Sequence, residues 1–150
     1  MNNPPPAPRY SARAILPMIV PFPVVCFIGT LLTDIAYWRT AEMQWTNFSA
    51  WLLAAGMLVS VLAVIAALVD LARKNLVPWR KPEWAYLVTL LVAMAISFVN
   101  SLIHTRDAWT SVVPTGLWLS AACVVVLIIA GWLHWFSRPQ AEVFRDGAVI

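Results

Sequence analysis

Five polar side chains that can carry chemistry lie within or at the ends of long apolar runs of this sequence. They are Asp34, Asp70, Asn100, His104 and His134. Carboxylate and imidazole groups exchange protons and form ion pairs, whereas an unpartnered charge in an apolar setting is costly. We therefore expect these residues to lie in clusters, and their positions in the sequence indicate two.

The first predicted cluster, the outer cluster, contains Asp34, Asn100, His104 and Arg106. Asp34 lies at the end of the first apolar run, and the other three residues lie at the end of the third run. In an antiparallel bundle these two ends meet on the same side, so a carboxylate–imidazole pair is expected there. Two interpretations remain open, namely an interfacial salt link that fixes helix ends and a titrating or ligand-binding site.

The second predicted cluster, the inner cluster, contains Asp70, Arg73 and His134 at the ends of the second and fourth runs. Arg73 and Lys74 follow Asp70 by three and four residues, which is the spacing of ion-pair partners on a helix. An ion pair at the level of the lipid headgroups therefore explains Asp70 most simply. The alternative is a second carboxylate–histidine pair between Asp70 and His134.

Metal, haem and nucleotide chemistry find little support in the sequence. Cys26 and Cys123 both lie inside apolar runs, which indicates small hydrophobic side chains and neither a disulfide nor a metal site. The two histidines end antiparallel runs on opposite sides, about 30 Å apart in depth, so one haem cannot bind both. No phosphate-binding loop or nucleophile elbow occurs. We predict no enzymatic activity, no metal and no cofactor, with haem as the weaker alternative.

Four apolar runs position the polar residues. With 61% hydrophobic and 11% charged residues, the 150-residue chain has more apolar side chains than one soluble core can enclose. Each run reaches the roughly 20 residues that cross a hydrocarbon layer. We predict an all-α membrane protein with four transmembrane helices in an antiparallel up-down-up-down bundle. The spans are expected at about residues 15–38, 48–71, 84–104 and 113–136, after a mobile Pro-rich arm (1–14) and before a short tail (138–150).

The first run contains an unusual group of prolines near its beginning, namely Pro17, Pro21 and Pro23. A proline lacks the N–H that a helix needs, so the helix is expected to be kinked or irregular up to Phe22 and regular from Val24 onward. One interpretation is a loose helix entry. The other is a polar cavity lined by carbonyls that this break leaves free, as in the broken helices of transporters.

Small residues recur at three- and four-residue steps and indicate which helix faces meet. On the second run they are Gly56, Ser60, Ala63 and Ala67, and on the fourth the stripe is Gly116, Ser120, Cys123, Leu127, Gly131 and His134. Close backbone approach holds helices together where lipid already surrounds apolar side chains. We expect both stripes to pack against neighbouring helices.

Positive charge indicates the orientation of the bundle. Eight of the ten Lys and Arg lie in the arm, the second connection and the tail, whereas Arg39 and Arg106 lie on the other side. Positive residues stay on the cytoplasmic side, so both termini are predicted to be cytoplasmic, in the inner membrane. The net charge of +3 reflects this flank, and no nucleic-acid partner is expected. The nine Trp residues occur near both ends of the runs, as in membrane aromatic belts.

Several segments together resemble a known family. They are LPMIVPFPV at residues 16–24, TDIAYW at 33–38, SAWLLAAG at 49–56, VDL at 69–71, NSLIHTRDAWTSVVPTG at 100–116, GWL at 131–133 and FRDGAVI at 144–150. In this order and spacing, the chain from about Ala14 onward resembles the bacterial membrane proteins catalogued as domain of unknown function 2231.

The resemblance implies four spans, an inner membrane and a link to redox components, because similar domains can be joined to iron–sulfur or cytochrome modules. The chain departs from the family pattern at two places. The pattern usually begins with His-Pro, whereas this chain has Leu16 and Pro17, and leucine cannot bind a metal or haem. The tail reads FRDG where the family more often shows an aromatic-Arg-His-Gly run.

Three functions remain open from the sequence. The first is a non-enzymatic membrane subunit or anchor of a redox or envelope complex, with the lipid bilayer and either a second copy or another membrane subunit as partners. The second is a small proton- or ion-coupled transporter or channel that uses Asp34 and His104. The third is a haem-binding electron-transfer subunit.

Overall fold

The computed structural model describes residues 16–72, 81–105 and 112–137. The predicted arm, residues 73–80 of the second connection and the tail lie outside these ranges, as does Arg106 of the outer cluster. The elements are a single turn α1 (Leu16–Ile19), a kinked helical turn (Val112–Gly116) before the last helix, and four long helices, α2 (Pro21–Thr40), α3 (Met43–Ala72), α4 (Lys81–His104) and α5 (Leu117–Ser137). The described residues contain no strand.

The four long helices form the predicted bundle. Each of them contains a segment that is long and apolar enough to cross a membrane. The most extensive contacts pair α2 with α3 and α4 with α5, and contacts of α2 with α5 and of α3 with α4 close the ring. The prediction of an all-α membrane protein with four spans is confirmed.

Helix boundaries differ from the predicted ones mainly at the connection between α2 and α3. The polar stretch 39–47 was expected to be a connection, but only Ala41 and Glu42 lie between the two helices. Ala41 adopts a left-handed conformation (φ 56°, ψ 19°), and its N–H donates to the Tyr37 carbonyl at 2.8 Å. This cap ends α2 without a glycine, and so short a connection makes α2 and α3 antiparallel.

The prolines lie where the first span begins. α1 ends at Ile19, and α2 begins at Pro21, with proline in its first turn, where the missing N–H costs no helical hydrogen bond. The N–H of Val20 donates to the Leu16 carbonyl at 3.2 Å, and the N–H of Val24 donates to the Val20 carbonyl at 3.4 Å. The chain therefore keeps its direction through this irregular entry.

The centre of the bundle is apolar, and its surface is too. Buried core residues come from all four long helices and are Phe27, Leu53, Ala93, Cys123 and Leu127. Many large apolar side chains are exposed, among them Leu32, Leu58, Leu68 and Ile128. Exposed Trp side chains occur near both ends of the bundle, as Trp38, Trp51 and Trp118 at one end and as Trp132 and Trp135 at the other. An apolar surface between two Trp belts fits lipid as the solvent.

Gly56 allows α2 and α3 to approach closely. A Cβ atom at this position would lie 2.7 Å from Cε1 of Phe27 and 3.0 Å from Cβ of Cys26. Other members of the predicted stripe on α3, Ser60 and Ala63, are also buried. The stripe predicted on the fourth run is buried from Gly116, just before α5, to Leu127, whereas Gly131 and His134 are exposed.

Candidate functional site

Asp34 is the most deeply buried charged residue among the described residues, with 0% of its surface exposed. It lies on the face of α2 that also buries Cys26 and Thr30 at intervals of one helical turn. The expectation that Asp34 ends the first span is wrong, because α2 continues for six residues to Thr40. At a rise of about 1.5 Å per residue, the carboxylate lies roughly 9 Å inside the end of the helix.

The other three long helices each supply a partner to this carboxylate. From α3, the Ser49 hydroxyl donates to Oδ1 of Asp34 at 2.6 Å, and from α5 the Ser120 hydroxyl donates to Oδ2 at 2.6 Å. From α4, Nε2 of His104 lies 3.0 Å from Oδ1, and the His104 side chain is 1% exposed. One carboxylate therefore connects all four helices of the bundle.

A second layer of hydrogen bonds positions these partners. Nδ2 of Asn100 donates to the Ser120 hydroxyl at 2.8 Å, while Oγ1 of Thr33 lies 2.7 Å from Oγ of Ser49. The one proton of Ser49 is directed at Asp34, so the contact between these hydroxyls depends on the Thr33 proton, for which the Gly29 and Thr30 carbonyls compete at 3.1 and 3.0 Å. Two chains of polar side chains thus converge on the carboxylate, and hydrogen bonds in such chains strengthen one another. We call Asp34, Ser49, Asn100, His104 and Ser120 the Asp34 cluster.

The geometry of His104 fixes how many protons the site holds. Nδ1 of His104 lies 3.0 Å from the backbone carbonyl oxygen of Asn100, which can only accept, so Nδ1 carries a proton. The contact between Nε2 and Asp34 needs a further proton, which lies either on Nε2 or on the carboxyl oxygen. In the first case the pair is imidazolium and carboxylate, and in the second both groups are neutral. The Asp34–His104 contact therefore holds one transferable proton.

One acceptor of the Asp34 cluster is not used. Oδ1 of Asn100 is buried and has no hydrogen-bond partner among the described residues. It faces Gly116, where a Cβ atom would lie 3.4 Å from this oxygen and 3.0 Å from Cε1 of His104. Glycine at position 116 therefore leaves room for both the imidazole and the amide.

A pocket of about 510 Å³ reaches His104 from the surface. Apart from His104, it is lined by the first two turns of α3, namely Met43, Gln44, Thr46, Asn47 and Ala50. The His104 side chain is only 1% exposed, and its two ring nitrogens face Asn100 and Asp34 inside the bundle, so neither nitrogen is directed at the pocket. Transfer of a proton between the pocket and Asp34 would require one of these hydrogen bonds to open.

Comparison with known proteins identifies the family. A family model described as "Predicted membrane protein (DUF2231)" matches residues 12–135. The chain belongs to this family. No curated protein and no solved structure shows a significant match to the chain.

Three of the four residues of the predicted outer cluster meet in this DUF2231 protein. Asp34 and His104 are in direct contact, and Asn100 joins them through Ser120. Arg106 lies outside the described residues. The side chains of His104 and Asp34 are 1% and 0% exposed, so the pair lies inside the bundle, and both interpretations of it, a salt link that fixes helix ends and a titrating or ligand-binding site, stay open.

Sequence reasoning missed Ser49 and did not assign Ser120 to the cluster. The signal for Ser49 was present, because it precedes Leu53 and Gly56 by four and seven residues and so extends the small-residue stripe of α3. Ser120 belongs to the stripe predicted on α5, where it was interpreted as a packing residue. In both cases the sequence pattern indicated only the small size of serine, and the hydrogen-bond donor of its hydroxyl was overlooked.

The predicted inner cluster is described in part. The His134 ring lies 5.0 Å from the ring of Tyr86, a partner on α4 that the sequence did not indicate. Arg73 and the side chain of Asp70 lie outside the described residues.

His104 is close to the level of Ser120, and fourteen residues separate Ser120 from His134 on α5, so the two histidines differ in depth by about 21 Å. This is less than expected but still too far for one haem.

The cavity beside the prolines is apolar. It has a volume of about 230 Å³, and Pro23 contributes to its lining. Ser60 is its only polar residue among those described, and the side chain of Pro17 is not described. The DUF2231 bundle thus has an apolar space at this break and not the polar cavity of the transporter interpretation.

Proposed function

We propose that this chain is a non-enzymatic, multi-pass protein of the inner membrane that serves as a subunit or anchor of a redox or envelope complex. The observation that carries the proposal is the position of Asp34, whose two carboxylate oxygens contact hydrogen-bonding side chains of the three other helices. A polar group used in this way connects transmembrane helices and fixes their register. The membership in a family of predicted membrane proteins supports the membrane part of the proposal.

The residues of the Asp34 cluster favour a connecting role over catalysis. The hydroxyls of Ser49 and Ser120 donate to the Asp34 carboxylate, but both serines are buried, at 0% and 2% exposed, so a substrate does not reach either hydroxyl. His104 is bound at both ring nitrogens. Among the described residues, no group of three or more His, Cys, Asp or Glu side chains is placed to hold a metal ion.

The partners follow from the surface. Exposed aliphatic side chains such as Leu58, Leu62 and Ile65 on α3 fit lipid or an apolar helix of a partner. We propose that the partner is another membrane subunit or a second copy of this chain. The orientation that we propose, with both termini in the cytoplasm, is supported by the eight-to-two distribution of Lys and Arg.

A native mass measurement after extraction in a mild nonionic detergent tests the subunit role. We expect the purified protein to retain a defined partner chain or a second copy at fixed stoichiometry. A protein that is monomeric under these conditions and that moves protons in liposomes would contradict the proposal.

A second candidate, a proton-coupled transporter or channel, is favoured by one observation. The pocket borders His104, so opening of one of the two hydrogen bonds of its ring would bring the transferable proton of the Asp34–His104 contact close to the surface. Such a protein, in liposomes that contain a pH-sensitive dye, would admit protons after an acid pulse. The connecting role predicts no flux in any variant, whereas the transporter role predicts flux that Asp34→Asn abolishes.

Ser120→Ala is the matched control for this flux measurement. It removes one helix connection but leaves Asp34 and His104 in place. Flux that is lost in Asp34→Asn and kept in Ser120→Ala would establish the transporter role. Equal loss in both would indicate that the bundle itself has been perturbed.

A further inference from the structure

The apolar cavity at the opposite end of the bundle from the Asp34 cluster has a definite shape. It lies between α3 and α4, and its floor is formed by Val20, Val24 and Phe27. On α3 the lining extends from Ser60 to Leu68, and on α4 it extends from Leu87 to Met94. These segments of seven to eight steps correspond to roughly 10–12 Å along the helix axes. The cavity is therefore an elongated slot that runs with the helices, and we call it the α3–α4 slot.

Small side chains create the α3–α4 slot. Ser60, Ala63 and Ala67 face it from α3, and Ala93 faces it from α4. Larger side chains at these positions would fill the space between the helices, as Leu53 and Leu127 do nearer the centre. The slot exists because α4 does not approach the small residues of α3 closely at this depth.

The α3–α4 slot opens on the lipid-facing surface. Leu68 at its rim is 60% exposed, whereas Phe27 at its floor is 4% exposed. An apolar cavity of this size does not hold water and binds apolar molecules instead, as smaller engineered cavities do. At membrane depth the apolar groups that reach the rim are the acyl chains of the bilayer, which also lie along the helix axes.

The charge of the sequence at this end selects the kind of lipid. Seven of the ten Lys and Arg lie in the parts of the sequence that precede α1, connect α3 with α4 and follow α5, and an eighth, Lys81, begins α4. Leu16, Leu68 and Leu87 line the slot and His134 contacts Tyr86, so the described helix ends that border these three parts lie at the slot's end of the bundle. Basic residues close to a membrane surface attract anionic headgroups. An anionic headgroup above the slot is therefore favoured over a zwitterionic one.

We propose that the α3–α4 slot binds one acyl chain of an anionic phospholipid. The chain occupies the space between the small residues of α3 and the aliphatic residues of α4, with its headgroup toward the basic end. Lipid held in this way is retained when the annular lipid is removed, because its acyl chain is enclosed on three sides by protein.

Native mass spectrometry of the full chain in nonionic detergent tests this proposal. Phosphatidylglycerol or phosphatidylcholine with identical acyl chains is added to delipidated protein, and the fraction of lipid adduct is measured for each. We expect a phosphatidylglycerol adduct at least tenfold tighter than the phosphatidylcholine adduct. Equal retention of the two lipids would overturn the proposal.

Two pairs of variants locate the bound lipid. Ala67→Phe fills the slot, and Ala54→Phe places the same side chain at an exposed position of the same helix. Val64→Phe and Val61→Phe form a second such pair, which is used if the first slot variant fails to fold by circular dichroism. We expect the slot variants to weaken phosphatidylglycerol binding about tenfold and the exposed variants to leave it unchanged.

Two other results would contradict the proposal. If both members of a pair reduce the adduct equally, the lipid binds elsewhere on the surface. If the slot variants instead abolish a dimer mass, a second copy of the chain occupies the slot and not a lipid.

Discussion

The buried carboxylate of Asp34 is stabilised by several neighbouring side chains at once. Both of its oxygens accept hydrogen bonds inside the bundle, and no part of it contacts solvent. Loss of one partner leaves a buried acceptor or charge uncompensated, and the cost of this exceeds the net value of the bond itself. The residues of the Asp34 cluster should therefore behave as a coupled set and not as independent contributors.

A double-mutant cycle measures this coupling. Asp34→Asn removes the charge that His104 and two hydroxyls face, and we expect it to lower the free energy of unfolding by about 2 kcal/mol. His104→Gln should cost a similar amount. Because each change removes the same contact, the double variant should be less destabilised than the sum, by about 1 kcal/mol or more. Thermal unfolding in detergent provides the values.

Thr89→Val supplies the control for this cycle. Its hydroxyl donates to the Ala85 carbonyl at 2.6 Å, fifteen residues before His104 on α4. Its effect should add to that of Asp34→Asn, because distant sites are independent. Coupling equal to that of the Asp34–His104 pair would show that the measured energy is a property of the whole bundle and not of the contact.

The backbone conformation of Ala41 leads to a second prediction for a single residue. A side chain at φ 56° is strained, since the left-handed region costs an L-residue with a Cβ roughly 1–2 kcal/mol. Ala41→Gly should relieve this strain and raise the unfolding free energy by up to about 1 kcal/mol, part of the gain being offset by the freer unfolded chain. Ala36→Gly, within α2, should instead lower it by about 1 kcal/mol. A lower stability for Ala41→Gly would contradict the role of this cap.

Among the elements, α2 and α3 form one of the two most extensively packed pairs, and Gly56 permits their approach. A methyl group there would overlap with Phe27 and Cys26, and neither belongs to a flexible side-chain end that can move away. We expect Gly56→Ala to lower the unfolding free energy by about 1–3 kcal/mol, the usual effect of overpacking. The measurement is again thermal unfolding in detergent.

Gly131→Ala is the matched control for Gly56→Ala. Nothing lies within 4 Å of a Cβ atom added at Gly131, so only helix propensity acts, and alanine should be neutral or stabilising by up to about 1 kcal/mol. If both variants destabilise equally, flexibility of the glycine backbone matters in this protein and close packing of α2 with α3 does not explain the result.

The elements were more predictable from the sequence than the site was. In lipid, the backbone N–H and C=O groups of a long uncharged run without strand-like alternation find their hydrogen-bond partners within a helix. The number and type of the spans therefore follow from the sequence. The ends of the helices are less constrained, because polar residues such as Gln44 and Asn47 continue α3 beyond the hydrocarbon layer. Pairing of Asp34 with His104 followed from antiparallel topology, whereas the contributions of Ser49 and Ser120 depend on helix rotation, which the stripes alone did not fix.

The whole molecule combines two unlike ends. Around the Asp34 cluster the interior is polar and closely connected, whereas around the α3–α4 slot it is apolar and incompletely filled. The polar end holds the helices in one arrangement, so the other end can remain open to lipid without loss of the bundle. This division gives each proposed role its own end of the molecule, which allows the two to be tested with separate variants.

The distribution of charge predicts how these two ends face the cell. Positive residues resist translocation, so the end with eight Lys and Arg should remain cytoplasmic, and the end with the Asp34 cluster should face outward. Cysteines introduced singly at Lys74 and Thr40, in a chain with Cys26 and Cys123 replaced by Ser or Ala, report the two sides in intact cells. An impermeant thiol reagent should label Thr40→Cys and should label Lys74→Cys only after the cells are opened. Labelling of Lys74→Cys in intact cells without labelling of Thr40→Cys would reverse the orientation, and the pocket beside His104 would then open to the cytoplasm.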